Sequence, residues 1–249
     1  MKLLPEVKTL VDFALGDGYI SLRSGRKNAH MRIVHAAKQQ EYAKHKEKIL
    51  RDLGFTMNCQ LLESKNGKNA GRSYYYVSLY QHPHITTAYH LLYKEKRKGL
   101  DKSLLNELDG RTLAYWFMDD GSAKLVKYLQ KGSTRRYYTT PKIGAFKFSN
   151  QSFTLEENKL FVDWLKGAFD IDARITAFNG IEVFISTIPA KEKFINVISP
   201  YIIPSMQYKI QYPITLEGID FTLVDRNTIH NGEYHGSSQG KEAKKEGSI

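Results

Sequence analysis

The amino-acid sequence predicts a mixed α+β fold built from two successive units, each with the element order αββαββα. Apolar residues recur first at helical spacing and then in short runs with strand-like alternation, and this succession occurs twice along the chain. A short apolar segment that ends in Asp-Gly opens each unit, at 10–18 and again at 113–121. The repeated order and the repeated opening segment together indicate a duplicated fold.

The first unit opens with a helix predicted at 7–17, where apolar residues recur at helical spacing until a Gly-Asp-Gly sequence ends the pattern. Gly54 marks the end of a second helix, and Pro83 marks the start of a third. The remaining predicted elements are strands at 18–23 and 29–36, a helix at 39–53, strands at 56–63 and 72–80, and a helix from 83 to about 93. A charged segment, 94–102, follows without a predicted element.

The second unit repeats this order after a short helix at 111–120. Thr154 and Glu157 have capping-box spacing, and Asn179-Gly180 is a strong hairpin signal. The other predicted elements are strands near 122–129 and 142–149, a helix at 154–168, strands at 172–178 and 181–186, and a helix from 189 to about 198. We therefore predict three regions: an N-terminal half at 1–103, a C-terminal half at 104–224 and a polar, flexible tail at 225–249.

The charge of the chain favours a polyanionic partner. Lys and Arg number 37 against 26 Asp and Glu, which gives a net charge of +11. The surplus is +8 in residues 1–110, +3 in 111–224 and zero in 225–249, so it belongs to the folded part and not to the tail. A basic folded surface is typical of a protein that binds nucleic acid.

A single cysteine, Cys59, excludes an intramolecular disulfide and a Cys-rich zinc module. This agrees with a reducing intracellular compartment, either cytoplasm or an organelle matrix. The sequence shows no signal peptide, no transit peptide of usual composition and no membrane span, so we expect no membrane partner.

The chemistry is predicted at the ends of the two apolar helices. A helix that is apolar all round must be buried, and its twin is the natural partner. Side-by-side packing would bring Asp17 and Asp120 together at two helix C-termini, which are already negative poles. Two such carboxylates repel each other unless a cation neutralises them, and hard oxygen ligands suit Mg²⁺. One Asp-Gly helix end is a common turn, but two in register indicate a site. Asp119 competes with Asp120 for the ligand position.

Both segments resemble the LAGLIDADG motif. The second reads Leu-Ala-Tyr-Trp-Phe-Met-Asp-Asp-Gly, very close to the form of single-chain, two-motif, intron-encoded homing endonucleases, and 150–154 and 203–209 also resemble that group. The similarity covers roughly 10–212. The first copy departs from the consensus at Val11, Asp12 and Phe13, and we expect Asp12 to face solvent.

The resemblance implies a pseudo-twofold monomer in which two four-stranded antiparallel sheets form a saddle over the DNA major groove, with the motif helices at the interface. It implies metal-assisted cleavage of both strands across the minor groove, leaving short 3′ overhangs, with Mg²⁺ as cofactor and Mn²⁺ as a substitute. Carried over by position, Asp17 and Asp120 are the metal ligands. Gly16 and Asp119, which precede them, complete the expected metal set.

The family also uses a basic residue late in each half. Lys209 matches in the second half. In the first half the equivalent lies in 96–98, where spacing favours Arg97 and a preference for lysine favours Lys98. Either side chain would polarise water or screen the phosphate.

Basic and aromatic side chains on the open faces of the strands are the candidates for DNA contacts. The candidates are Arg23, Arg32, Arg72, Tyr74, Tyr76, Lys124, Arg135, Arg136, Lys142, Lys147 and Arg174. A rival site for a transition metal is the His-rich segment with His82, His84 and His90, although no acidic or Cys partner has a recognised spacing.

The sequence thus predicts a site-specific DNA endonuclease acting on double-stranded DNA. Two alternatives on the same scaffold stay open, an intron RNA maturase and a DNA-binding protein that does not cut.

Overall fold

The computed structural model describes residues 2–126, 141–177 and 180–214. The elements of the first half are α1 (Pro5–Leu15), β1 (Tyr19–Ser21), β2 (His30–Ala36), α2 (Gln40–Asp52), β3 (Met57–Glu63), β4 (Ser73–Leu79) and α3 (Pro83–Leu92). Those of the connection are β5 (Tyr93–Lys94), β6 (Arg97–Lys98) and α4 (Lys102–Leu105). Those of the second half are α5 (Gly110–Asp120), β7 (Gly121–Val126), β8 (Lys142–Phe148), α6 (Leu155–Phe169), β9 (Arg174–Thr176), β10 (Glu182–Ile185) and α7 (Ile188–Ile198). The predicted αββαββα order is confirmed in both halves.

Each half forms a four-stranded antiparallel sheet with the same topology. The strand order is β1-β2-β4-β3 in the first sheet and β7-β8-β10-β9 in the second. In β2 the side chains of Met31 and Ile33 are buried while Arg32 between them is exposed. Because strand side chains alternate between faces, each sheet buries one face under its helices and leaves the other open.

The paired helices α1 and α5 form the interface between the halves, as predicted. Phe13 of α1 meets Tyr115 of α5 edge to face, with ring centroids 4.8 Å apart. At the C-terminal ends a Cβ added to Gly16 would lie 2.3 Å from the side chain of Asp119. Only glycine allows the chain to pass so close, which explains the small residue before Asp17.

Asp12 corrects one expectation, because its side chain is fully buried instead of facing solvent. Arg111 pairs with it at 2.8 Å, Thr112 donates a hydrogen bond to it, and Lys8 lies 3.2 Å away. The second half covers the side of α1 that would otherwise meet water. The buried carboxylate survives there because it has charged and hydroxyl partners.

The charged segment 94–102 is more ordered than the sequence suggests. Glu95 and Lys96 have φ of 48° and 66°, and they form the tight turn of a two-stranded ribbon in which Tyr93 pairs with Lys98. The predicted boundary at 103/104 falls inside α4. All described residues belong to one compact unit, so the division into halves stays a prediction.

The predicted tail at 225–249 and most of the loop at 130–141 lie outside the described residues. Within the described part, no helix has the length and apolar character needed to cross a membrane.

Candidate metal centre at the ends of the paired helices

Two carboxylates mark the C-terminal ends of the motif helices. Asp120 is the last residue of α5, and Asp17 lies in the turn directly after α1. Burial and the charge of Asp119 raise the pKa of Asp17 to about 6. Burial and the charges of Asp119 and Asp17 raise the pKa of Asp120 to about 7. Burial and the neighbouring carboxylates therefore disfavour the ionised form of both acids, a penalty that a bound cation would relieve.

Asp119 differs from its two neighbours because its charge is already neutralised. Lys46 Nζ donates hydrogen bonds to Asp119 Oδ1 and Oδ2, at 2.7 and 2.8 Å, and both side chains are fully buried. The Asp17 amide donates to Asp119 Oδ2 at 3.1 Å. Burial acts to raise the pKa of Asp119, but Lys46 outweighs it and holds that pKa below its usual value. The charge of Asp119 is therefore neutralised within the protein, whereas the raised pKa values of Asp17 and Asp120 show that theirs are not.

His35 adds a nitrogen atom to this centre. Its Nδ1 lies 3.3 Å from Asp17 Oδ2, is buried, and has no hydrogen-bond partner among the residues described. Burial and the charge of Lys46 lower the pKa of His35 to about 4, so the ring is neutral at pH 7. Potential ligand atoms of Asp17, His35 and Asp119 lie within 4.8 Å of one another. Lys46 Nζ lies 3.3 Å from His35 Nε2 and can only donate, so the neutral ring carries its hydrogen on Nδ1, which faces Asp17. The open ligand atoms of this cluster are therefore the carboxylate oxygens of Asp17, a donor type that suits a hard divalent cation.

Two lysines cap the ends of the motif helices from outside them. Lys98 Nζ donates to the Gly16 carbonyl at 2.6 Å, at the end of α1. Lys209 Nζ donates to the carbonyls of Phe117 at 3.1 Å, Gly121 at 2.8 Å and Met118, at the end of α5. Burial lowers the pKa of Lys98, and it lowers that of Lys209 to about 8. These contacts satisfy carbonyls that a helix end leaves free, and they fix a positive charge beside each carboxylate.

Arg97 is not brought to this centre. Its guanidinium forms a two-point ion pair with Glu157, at 2.8 and 3.0 Å, and about half of its side chain is exposed. Neighbouring residues on a strand point to opposite sides, so only one of Arg97 and Lys98 can face the helix ends. The structure places Lys98 there. The Gly16 carbonyl, which the sequence included in the metal set, is the acceptor for that lysine.

Sequence reasoning missed Lys46 and His35, which lie beside the carboxylates. Lys46 lies four residues after Tyr42 and four before Leu50, so it occupies the buried stripe of α2. His35 alternates with Met31 and Ile33 on the buried side of β2. One signal could have found them: each is a polar residue at a position that the apolar pattern assigns to the core.

The predicted DNA contacts of the first half lie on the open face of its sheet or in its loops. Arg32 is exposed, and positions 32, 34 and 36 of β2 point to the same face of the sheet. Tyr76 and Tyr74 lie opposite Val34 and Ala36, so both tyrosines share the face of Arg32. Arg23 and Arg72 are exposed just outside the strands.

In the second half Lys124, Lys147 and Arg174 share the open face. Lys147 pairs with Glu182, and Lys142 is half-buried beyond a shift in strand register. Arg135 and Arg136 lie outside the described residues.

The His-rich segment has a structural role in the described part of the chain. His82 caps α3 by accepting a hydrogen bond from the His84 amide, and their rings pack edge to face. No third ligand joins them among the described residues, where the centre at Asp17 is the only cluster of three or more metal-ligating side chains.

Curated relatives include nucleases and maturases. The chain is 28% identical over 210 residues to the probable intron-encoded endonuclease 1 of Wickerhamomyces canadensis, covering 83% of this chain and 84% of that protein. It is 30% identical over 215 residues to cytochrome b mRNA maturase bI2 of Saccharomyces cerevisiae, covering 79% of this chain and 45% of that one. It is 28% identical over 200 residues to protein RecA of Mycobacterium shimoidei, again covering 79% of this chain but only 44% of the relative. The chain thus spans less than half the length of the last two relatives.

Solved structures confirm the fold. The homing endonuclease I-WcaI bound to its DNA recognition sequence superposes with a TM-score of 0.69 at 23% identity, covering 86% of this chain and 90% of that one. The meganuclease I-SmaMI bound to uncleavable DNA gives a TM-score of 0.52 at 13% identity, covering 82% and 87%. The model of the LAGLIDADG DNA endonuclease family matches residues 10–192. With both motif segments and most of the two repeated units inside that match, the chain belongs to the LAGLIDADG DNA endonuclease family.

Proposed function

We propose that this protein is a monomeric, site-specific homing endonuclease that makes a double-strand break in a long DNA target and leaves short 3′ overhangs. The observation that carries the proposal is the centre at the paired helix ends, where Asp17 and Asp120 have raised pKa values and a lysine stands beside each. A related protein is named as an intron-encoded endonuclease, and a similar structure is of a homing endonuclease on its recognition sequence.

Mg²⁺ is the proposed cofactor and Mn²⁺ the substitute, with Asp17 and Asp120 as the protein ligands. When bound, such an ion lowers the pKa of a coordinated water and neutralises charge on the phosphate. Asp119 is a poorer ligand because releasing it would leave Lys46 buried without its counter-ion. His35 faces Asp17 through Nδ1, which carries the ring hydrogen because Lys46 donates to Nε2.

Lys98 and Lys209 supply fixed positive charge for the scissile phosphates. Their ammonium groups are held by helix carbonyls, so they do not need to reorganise when negative charge develops on the phosphate. Fixed charges in a site with little water act more strongly than exposed ones. Together the two lysines place positive charge beside the pair of carboxylates, and Lys98 acts more strongly on Asp120 than on Asp17.

The open faces of the two sheets are the proposed DNA-binding surface. Arg32 and the half-exposed Tyr76 lie on the first sheet, and Lys124 and Arg174 lie on the second. Contacts to phosphates would set the position of the duplex, while contacts to base edges would select the sequence.

The test is cleavage of a plasmid library of long random inserts with the purified protein and Mg²⁺, followed by sequencing of the new ends. We expect cutting at one extended site with short 3′ overhangs. The control is the double variant Asp17→Asn, Asp120→Asn, which keeps the shape of both side chains and removes both charges. Failure of the folded protein to cut any member, or equal cutting by the control, would overturn the proposal.

A maturase function on intron RNA is a second candidate, favoured by the 30% identity with a cytochrome b mRNA maturase. Splicing or tight binding of a host intron RNA by the double Asn variant would support it, because that variant separates RNA binding from DNA cleavage. A pure DNA-binding role would instead give specific binding to a DNA site with no cleavage in either metal.

A further inference from the structure

A buried ion pair joins the two halves directly behind the metal centre. Lys46 belongs to α2 of the first half and Asp119 to α5 of the second, and neither side chain is exposed to solvent. The ammonium group also lies over the rings of Tyr42 and Phe13, at 4.4 and 5.3 Å from their centroids. Such a pair is costly to bury, and it stays only where its geometry is well satisfied.

The same carboxylate holds the turn that carries Asp17. Asp119 Oδ2 accepts the hydrogen bond of the Asp17 amide at 3.1 Å. Gly16 lies against the Asp119 side chain so closely that any Cβ would collide with it. Asp119 therefore fixes the position of the turn after α1, and the ion pair with Lys46 fixes the position of the Asp119 side chain.

Within the described residues Asp120 has no such buried ion pair behind it, and its carbonyl accepts a hydrogen bond from the Ser149 amide at 3.2 Å. The residue equivalent to Asp119 in the first motif is Gly16, which has no side chain to offer. Phe161 is the equivalent of Lys46, because each is the seventh residue of its helix, and Asn150 is the equivalent of His35, because each lies five residues before that helix begins. Phe161 packs on Trp116 with ring centroids 4.5 Å apart. Asp120 is instead held as the last residue of α5, whereas Asp17 lies beyond the end of its helix.

We propose that Lys46 and Asp119 are positioning residues that hold the Asp17 turn in place. The two carboxylates that serve the two DNA strands then differ, because the buried ion pair fixes the position of Asp17 but not that of Asp120. The inference rests on the proposed endonuclease function. Neither residue needs to touch DNA or metal, since both act through the backbone of Asp17. Loss of the support should slow one strand more than the other and let nicked DNA accumulate.

Two double variants separate the hydrogen bond from the ion pair. Lys46→Met with Asp119→Asn removes both charges but keeps an oxygen that can accept the Asp17 amide. Lys46→Met with Asp119→Leu also removes both charges, has nearly the same side-chain shape, and offers no acceptor. Neither leaves an unpaired buried charge, which a single variant would do. Phe161→Met, at the position equivalent to Lys46, is the control for a general change in the core.

The first readout is the ratio of the two strand-cleavage rates on a duplex labelled on both strands. We expect the Leu double variant to change this ratio by about tenfold relative to the Asn double variant, in kcat more than in KM, because a misplaced group acts on the chemical step. Phe161 packs on Trp116 of α5, so the Phe161→Met control should not reproduce the shift in this ratio toward slower cutting with Asp17. Equal slowing of both strands in the Leu variant, in proportion to lost thermal stability, would overturn the inference.

The second readout does not depend on cleavage. Hydrogen exchange of the Asp17 amide, followed by NMR on the metal-free protein, should be at least about tenfold faster in the Leu double variant than in the Asn double variant. If the unaltered protein cuts no DNA and this difference is seen, the proposed function fails while the positioning role stands. If the exchange rates are equal, the positioning role fails whatever the protein cuts.

Discussion

Asp17 and Asp120 occupy equivalent positions in the two halves, yet their neighbours are different. Behind Asp17 lie His35 and the Lys46–Asp119 ion pair. At the equivalent places in the second half lie Asn150, which has no hydrogen-bond partner for its side-chain amide within the described chain, and Phe161 in an aromatic cluster. The repeat keeps the carboxylate at the helix end but not the residues that support it.

The lysine caps show the same unequal pattern in milder form. Lys98 reaches one carbonyl at the end of α1, while Lys209 reaches several at the end of α5 and is more completely enclosed. Each motif helix thus ends with one acid and one lysine in contact with its last carbonyls. How firmly each is held depends on the surrounding core, so we expect the two halves to tolerate substitution differently.

The largest expected effect is the loss of either acid. Asp17→Asn or Asp120→Asn should each reduce double-strand cleavage by about a thousandfold or more, because each removes a charge needed for the metal. DNA binding, measured by fluorescence anisotropy, should change little. Gel analysis of a supercoiled plasmid would detect residual nicking by each variant. We expect the two variants to nick opposite strands of the target, which compares the two halves directly. Full activity of either variant would remove that acid from the site.

The lysine caps should give the next largest effect. Lys209→Met removes the donor to several buried carbonyls and should cost about 1–3 kcal/mol of unfolding free energy, whereas Lys98→Met should cost less. Both should slow cleavage by about ten- to a hundredfold. Urea unfolding and single-turnover cleavage would measure the two effects separately.

Arg97→Ala is the control for these lysine variants. It breaks an ion pair between the half-exposed Arg97 and the mostly buried Glu157, so it should lower stability by about 1–3 kcal/mol but should slow cleavage far less than Lys98→Met. A greater loss of cleavage in the Arg97 variant than in the Lys98 variant would reverse the assignment of the first-half cation.

The repeated order of elements followed from apolar periodicity and from the paired Asp-Gly segments, because those patterns are local. The neighbours of the carboxylates did not follow in the same way. Lys46 contacts Asp119 across 73 residues of sequence, and that contact exists only once α1, α2 and α5 have packed. No local rule assigns a lysine in a mostly charged helix to a buried partner so far along the chain.

Two local surprises have the same origin. The choice between Arg97 and Lys98 depends on a ribbon whose turn places Glu95 and Lys96 at positive φ, which the charged sequence did not predict. Asp12 became buried because the second half covers the face of α1 that carries it. In both cases spacing located the residue, and tertiary packing decided its direction.

Metal binding should depend on pH and should differ between the two acids. Because the pKa is raised to about 6 in Asp17 and about 7 in Asp120, both are partly protonated just below neutral pH. A cation needs the ionised forms, so its binding releases protons and its affinity rises with pH. We expect the affinity for Mn²⁺ to increase by about tenfold from pH 6 to pH 8, with the greater share of released protons coming from Asp120.

Calorimetry in two buffers with different ionisation enthalpies would count those protons. The Asp120→Asn variant should release fewer than Asp17→Asn at about pH 6.5. Equal proton release from both variants would mean that the two halves present their carboxylates in the same electrostatic surroundings.

The smallest expected effect is on DNA affinity, and it distinguishes the open faces of the two sheets. Arg32 is exposed on the first sheet, whereas Lys147 on the second already pairs with Glu182. Arg32→Ala should therefore weaken DNA binding several-fold and reduce the salt dependence by about one released ion, because a phosphate contact displaces one counter-ion. Lys147→Ala should do less, since Glu182 cancels part of its charge before DNA arrives. Binding isotherms at several salt concentrations decide the matter: equal slopes for the two variants would mean that the Lys147–Glu182 pair opens on DNA and that the faces contribute alike.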